Sequence, residues 1–162
     1  MTYILDSNVF IQAKNTYYGF DICPGFWSWL DSAGSKRQIV FLSKICDELI
    51  EGRDDLAKWA KDRKNVTWRQ EIDDPITQRN FRTISAYVMS GPYKLGAKNH
   101  FLAKADPWLV AKAMSIGGTV VTHETFEPHA LRRVPLPNIC NEFKVPWINI
   151  FDLLKTKSVK FT

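Results

Sequence analysis

Tyr3-Ile4-Leu5-Asp6-Ser7-Asn8 is the stretch that decides the fold. Three apolar residues are too few for a helix core, so they read as a buried strand ending on an acid and two small polar residues. The pattern recurs. Ile39-Val40-Phe41-Leu42 is a second apolar run, and Thr119-Val120-Val121-Thr122 is another, followed by His123 and Glu124. Weaker strands are expected around 66–68 and 145–148. Helical segments lie between the strands. Residues 26–30 carry an aromatic face, Ser43 is placed to N-cap a helix that Gly52 ends, and charged residues fill 54–64. Asp74-Pro75 opens a helix to about Met89, and 150–155 form the last one. Asp106-Pro107 has Asp at N-cap and Pro at N1 of a helix closed by Gly117-Gly118. Residues 15–25, with Gly19, Pro24 and Gly25, read as a loop. Apolar strands alternating with helices predict an α/β sandwich around a mostly parallel sheet.

Composition narrows the classes. The 162 residues suit one domain over 1–162, and 45% hydrophobic with 24% charged residues excludes a disordered chain or a coiled coil. No apolar run approaches the roughly 20 residues that span a bilayer, and MTYILDSN lacks the basic and apolar regions of a secretory signal. Cys23, Cys46 and Cys140 are odd in number and lack C-x-x-C spacing, which argues against structural zinc or a disulfide scaffold and fits a cytoplasmic setting. Twenty-two Lys+Arg against 17 Asp+Glu give a net charge of +5, which permits a polyanionic partner.

In a parallel sheet, functional groups collect beyond the carboxyl ends of the strands, and acids recur there. Asp6 and Asn8 follow the first strand and share a side if the extended geometry persists. Thr122 and Glu124 repeat that spacing after the strand at 119–122, and Asp106 begins the helix leading into it. On the helix after Ser43, the apolar face is Ile45, Cys46, Leu49 and Ile50. Glu51 lies about 170° from its centre and Asp47 and Glu48 about 130°, on opposite flanks. Periodicity therefore excludes Glu51 and leaves Asp47 and Glu48 open. Carboxylates gathered without a cation repel one another, and Mg²⁺ or Mn²⁺ takes oxygen ligands of this kind. Bound water on such an ion can attack a phosphodiester. No basic side chain is expected at this edge. Taken singly, Asp106 can be a mere cap, Asp6 a turn former and Glu48 a solvated residue.

Four segments in order resemble the PIN domains, the nuclease family that includes the VapC-type toxins. YILDSNVFI resembles the family's opening strand, SKICDELIEG its E-L-x-x-G helix, ADPWLVAKA its D-x-x-[IL]-[VA]-A-x-A helix, and VVTHETF its V-x-T-x-D strand end. The stretch from Val134 and the aromatic segment 15–30 resemble a less studied PIN subgroup. The resemblance selects Glu48 over Asp47. It implies a three-layer α/β/α sandwich of about five strands. It also implies catalytic Asp6, Glu48, Asp106 and Glu124, supporting Asn8 and Thr122, and Mg²⁺ or Mn²⁺ on Asp6, Asp106 and Glu124. Glu124 stands where the family more often has Asp. The implied activity is endoribonucleolytic, often in a homodimer and commonly inhibited by an antitoxin. A DNA or structure-specific nuclease, and a silent module binding RNA or a protein, are the alternatives.

Lys94, Lys98 and Lys104 precede Asp106 and are the candidate phosphate contacts among a dispersed positive charge that includes Arg132-Arg133. Tyr17, Tyr18 and Phe20 stack on unpaired bases, cover the core or form a dimer contact. His100, His123 and His129 match no common zinc spacing, and alternation turns His123 away from Thr122 and Glu124.

Overall fold

The computed structural model describes residues 1–161. Five parallel strands form the sheet: β1 (Tyr3–Leu5), β2 (Ile39–Leu42), β3 (Arg69–Gln70), β4 (Thr119–Val121) and β5 (Trp147–Ile148), in the order β3-β2-β1-β4-β5. Every residue of β1, β2 and β4 is buried, so both faces of the sheet are covered, as their unbroken apolar runs require. Among the described residues nine α-helices surround it: α1 (Ser7–Gln12), α2 (Pro24–Ser35), α3 (Ser43–Ile50), α4 (Asp55–Lys61), α5 (Pro75–Ser90), α6 (Leu95–Ala103), α7 (Asp106–Ile116), α8 (Leu136–Glu142) and α9 (Ile150–Thr156). None of them is long and apolar enough to cross a membrane. The expected α/β sandwich with a parallel five-stranded sheet is what the chain adopts.

Several local expectations are corrected. Extended geometry does not persist after Asp6. Ser7 begins α1, and a π-helical turn, Ala13–Tyr17, continues it through the first part of the expected loop. Ser43 is the first residue of α3 and caps nothing, the N-cap position falling to Leu42. The third strand is displaced from 66–68 to Arg69–Gln70, where it pairs with Phe41 and Leu42. Asp106 is not an N-cap either. Ala105 occupies that position, Asp106 and Pro107 begin the helix, and the carboxylate makes no capping hydrogen bond. Real caps occur at Asp54, Asp74 and Asn149, whose side chains accept backbone N–H bonds.

Tyr18 stacks on Phe26 at 4.7 Å between ring centroids and Phe20 on Trp27 at 4.1 Å, so both cover the core. Gly34 makes room for another aromatic ring. A Cβ there would lie 2.3 Å from Trp68 Cδ2, so the bare backbone of α2 is what lets Trp68 lie flat beside β3. Gly117, at φ 66°, ends α7 in the left-handed conformation open to glycine. The three cysteines are free thiols.

The strand order fixes where chemistry can gather. From β1 the chain builds outward to β2 and β3, then returns to the other side of β1 with β4 and β5. The crevice at that reversal lies beyond the carboxyl ends of β1 and β4. Asp6 leaves the first of these strands and Thr122 the second.

Candidate active site

Asp6 is 2% exposed at the end of β1, its backbone N–H bonded to Val121 O of β4 at 2.9 Å. Its Oδ2 accepts a 2.9 Å hydrogen bond from Thr122 Oγ1, and that same hydroxyl oxygen accepts the Glu124 N–H at 3.1 Å. One buried hydroxyl thus ties the first acid to the backbone of the last. Asn8, on the first turn of α1, holds the same junction from the other side, its Oδ1 accepting the His123 N–H at 3.4 Å.

Glu48 reaches the crevice from α3. Its Oε1 accepts the Ala105 N–H at 3.1 Å, which seats the carboxylate against the start of α7, one residue from Asp106. Asp47 turns to the opposite flank and pairs with Arg69 at 3.4 Å, and Glu51 is exposed. The two flanks that periodicity left equivalent are distinguished by these partners.

Asp6, Glu48, Asp106 and Glu124 line one cavity of about 670 Å³, with Asn8 beside them and Thr122 buried beneath. The electrostatics carry the mark of crowding. Burial holds the Asp6 carboxyl above the usual carboxylate range; the Thr122 hydrogen bond works against this and the Glu124 charge adds to it. Asp106 is raised further, by burial first and then by the charges of Asp6, Glu124 and Glu48, with Lys104 opposing. Burial and then the charges of Asp6, Glu124 and Asp106 push up the thiol of Cys140 on α8. A bound cation would relieve the repulsion that remains among these carboxylates.

Basic residues also line the cavity, which corrects the expectation of an edge without cations. His100 of α6, Lys104, Arg132 and Arg133 all line the cavity. Of the three lysines expected to contact phosphate, the structure brings only Lys104 there. Lys98 Nζ donates to Met89 O at 2.7 Å, and the exposed Lys94 does not line the cavity. Arg133 is paired with Glu124 Oε1, which also accepts the Leu136 N–H at 3.2 Å, and its Nε lies 3.5 Å from Glu127 Oε2. Glu127 is in turn pinned by Asn138, which bonds its backbone N–H at 2.9 Å and its carbonyl at 2.8 Å. His123 faces Phe151, and burial lowers its proton affinity.

The donor set is all oxygen and anionic, which suits Mg²⁺ or Mn²⁺. Among the described residues no three His, Cys, Asp or Glu side chains are gathered tightly enough to hold an ion by themselves. Mg²⁺ commonly takes one or two carboxylates and keeps several waters, so the residues present fit an ion bound by a carboxylate pair and water.

Residues 3–161 match the family described as "Domain of unknown function (DUF4411)". No curated protein matches the chain. Among solved structures, a chain of VapBC2 from Rickettsia felis, bound to a DNA fragment from their promoter, is similar in fold. The TM-score is 0.53 over 92% of this chain and 98% of that one, at 15% identity. That likeness is one of fold, and it agrees with the expected PIN-like architecture.

Proposed function

We propose a metal-dependent endoribonuclease activity for this chain, which belongs to the DUF4411 family. The observation that carries the proposal is the convergence of Asp6, Glu48, Asp106 and Glu124 on one cavity at the reversal of strand order. Two of these carboxyls, Asp6 and Asp106, are raised above the usual carboxylate range, by burial first and then by their acidic neighbours. Burial first, and then mutual repulsion, disfavour their charged forms, and a bound cation would offset that cost.

In this reading Asp6 and Asp106 hold Mg²⁺ or Mn²⁺, with Glu48 and Glu124 acting on its water shell. The ion, when bound, polarises a phosphoryl oxygen and lowers the pKa of a bound water. The chain's own residues do the rest. Thr122 fixes the rotamer of Asp6 by occupying Oδ2, the backbone of Ala105 fixes Glu48, and Lys104, Arg132 and His100 receive the phosphates of an RNA strand across the cavity. The single domain over 1–162, an antitoxin protein that blocks the cavity, and a homodimer belong to the same proposal. The fold shared with a chain of VapBC2 supports the toxin–antitoxin setting.

A second reading is a module that binds RNA or a protein without cutting. It draws on the looseness of the acid set and on the guanidinium already paired with Glu124. Cleavage of labelled single-stranded RNA and DNA with Mg²⁺, Mn²⁺ or EDTA, beside Asp6→Asn, separates the two. Metal-dependent cutting lost in Asp6→Asn supports the nuclease. RNA binding without cutting under every condition supports the silent module.

A further inference from the structure

Four carboxylates line the cavity, and among the described residues only Glu124 has a cationic partner within ion-pair distance. That partner, Arg133, comes from the far end of the loop that Glu124 begins. The loop is locked into this shape by the Glu127–Asn138 bonds and by Arg133 Nε beside Glu127. Glu124 Oε1 is used twice, by Arg133 and by the Leu136 N–H. Asp6, Asp106 and Glu48 are left as the anionic remainder, with Lys104 near Asp106. A second ion at Glu124 would have to displace the half-exposed Arg133 guanidinium, which is also shared with Glu127, or bind beside it against like-charge repulsion.

We infer that Arg133 stands in for a second cation at Glu124, so that the site takes up one divalent ion, on Asp6 and Asp106, rather than two. The inference rests on the metal-dependent reading of this cavity and assigns a role within it. Arg133 is here a positioning residue. It keeps Glu124 turned to the loop through Oε1 and supplies, at a fixed point of the cavity wall, the positive charge that a second ion would otherwise bring.

The test is a Mn²⁺ titration of the full chain, with free ion followed by electron paramagnetic resonance and folding checked by thermal melts. Wild type and Arg133→Lys should each bind one ion. Arg133→Gln should bind a second, at least roughly tenfold tighter than wild type does, because the like charge is gone. Glu124→Gln combined with Arg133→Gln should return the count to one. Arg132→Gln, which lines the same wall without a carboxylate partner, should stay at one ion. Two ions on wild type, or one ion on a folded Arg133→Gln, would overturn the assignment while leaving the nuclease reading standing. No ion on wild type, or binding unaffected by Asp6→Asn, would overturn both.

Discussion

Thr122 Oγ1 donates to Asp6 Oδ2 at 2.9 Å across 116 residues of sequence, joining the ends of β4 and β1 inside the protein. The bond is wholly buried, so its acceptor has no water to fall back on. Thr122→Val keeps the shape and removes the hydroxyl. It should cost about 1–3 kcal/mol at neutral pH, as an unsatisfied buried carboxylate does. Thr122→Ser should recover most of it. Urea denaturation midpoints of the three proteins check this, and a Val variant as stable as wild type would show that the hydroxyl holds nothing.

Stability should fall with rising pH in the metal-free protein. Asp6 is pushed up to about 6 and Asp106 to about 8, from an unfolded value of 3.8. The folded state therefore binds more protons than the unfolded state between these limits, so unfolding free energy decreases as pH rises through that window. Asp106→Asn should flatten the upper part of the slope and raise the melting temperature at pH 8 while abolishing cleavage. Mn²⁺ must displace these protons, so its stabilising effect should be larger at pH 8 than at pH 6. Melting curves at both pH values, with Mn²⁺ and with EDTA, decide the sign.

On α3, charge and position can be separated. Glu48→Gln keeps an oxygen to accept the Ala105 N–H but removes the negative charge, so it should fold normally and lose at least ~100-fold in cleavage rate. Glu51→Gln should match wild type. Asp47→Asn gives up an exposed pair with Arg69 and should cost under about 1 kcal/mol with activity retained. An active Glu48→Gln enzyme would remove this glutamate from the chemistry.

Gly34→Ala should be among the most damaging small substitutions in the chain. Its added methyl would sit 2.3 Å from the buried Trp68 ring, and backbone on one side with indole on the other leaves little to yield. Overpacking of this kind costs about 1–3 kcal/mol. Trp68→Leu in the same chain should relieve part of the loss, and a double-mutant cycle on melting temperature measures the coupling.

Strands and helices with strong local patterns are legible in the sequence. Tyr3–Leu5 and Ile39–Leu42 have the expected bounds, and the strand at 119–122 ends one residue early. Elements decided by tertiary partners are not. α1 begins at Asp6-Ser7 with no side-chain cap to announce it. α6 has no segregated apolar face, and the two residues of β3 are defined by pairing with β2. The acids at the strand ends could be read because topology puts strand ends together. The choice of Glu48 over Asp47 needed either the family resemblance or the Ala105 and Arg69 contacts. Arg133 is hidden by distance along the chain, although a loop that begins at Glu124, carries Pro128 and ends at Pro135 is a signal that its far end returns to the site.

The place of β1 in the sheet has a consequence for synthesis. The first strand made is the central one, and it needs β2 on one side and β4 on the other. Asp6 leaves the ribosome early, whereas Asp106 and Glu124 follow a hundred residues or more later, and β5 must still add to β4. Contacts so far apart in sequence form slowly. A growing chain therefore exposes a lone aspartate with neither its buried hydroxyl nor its fellow acids, and the cavity closes only when the segment through Val134 has emerged. The site is complete only once Glu124, Arg133 and the strand β5 beyond them have all been made.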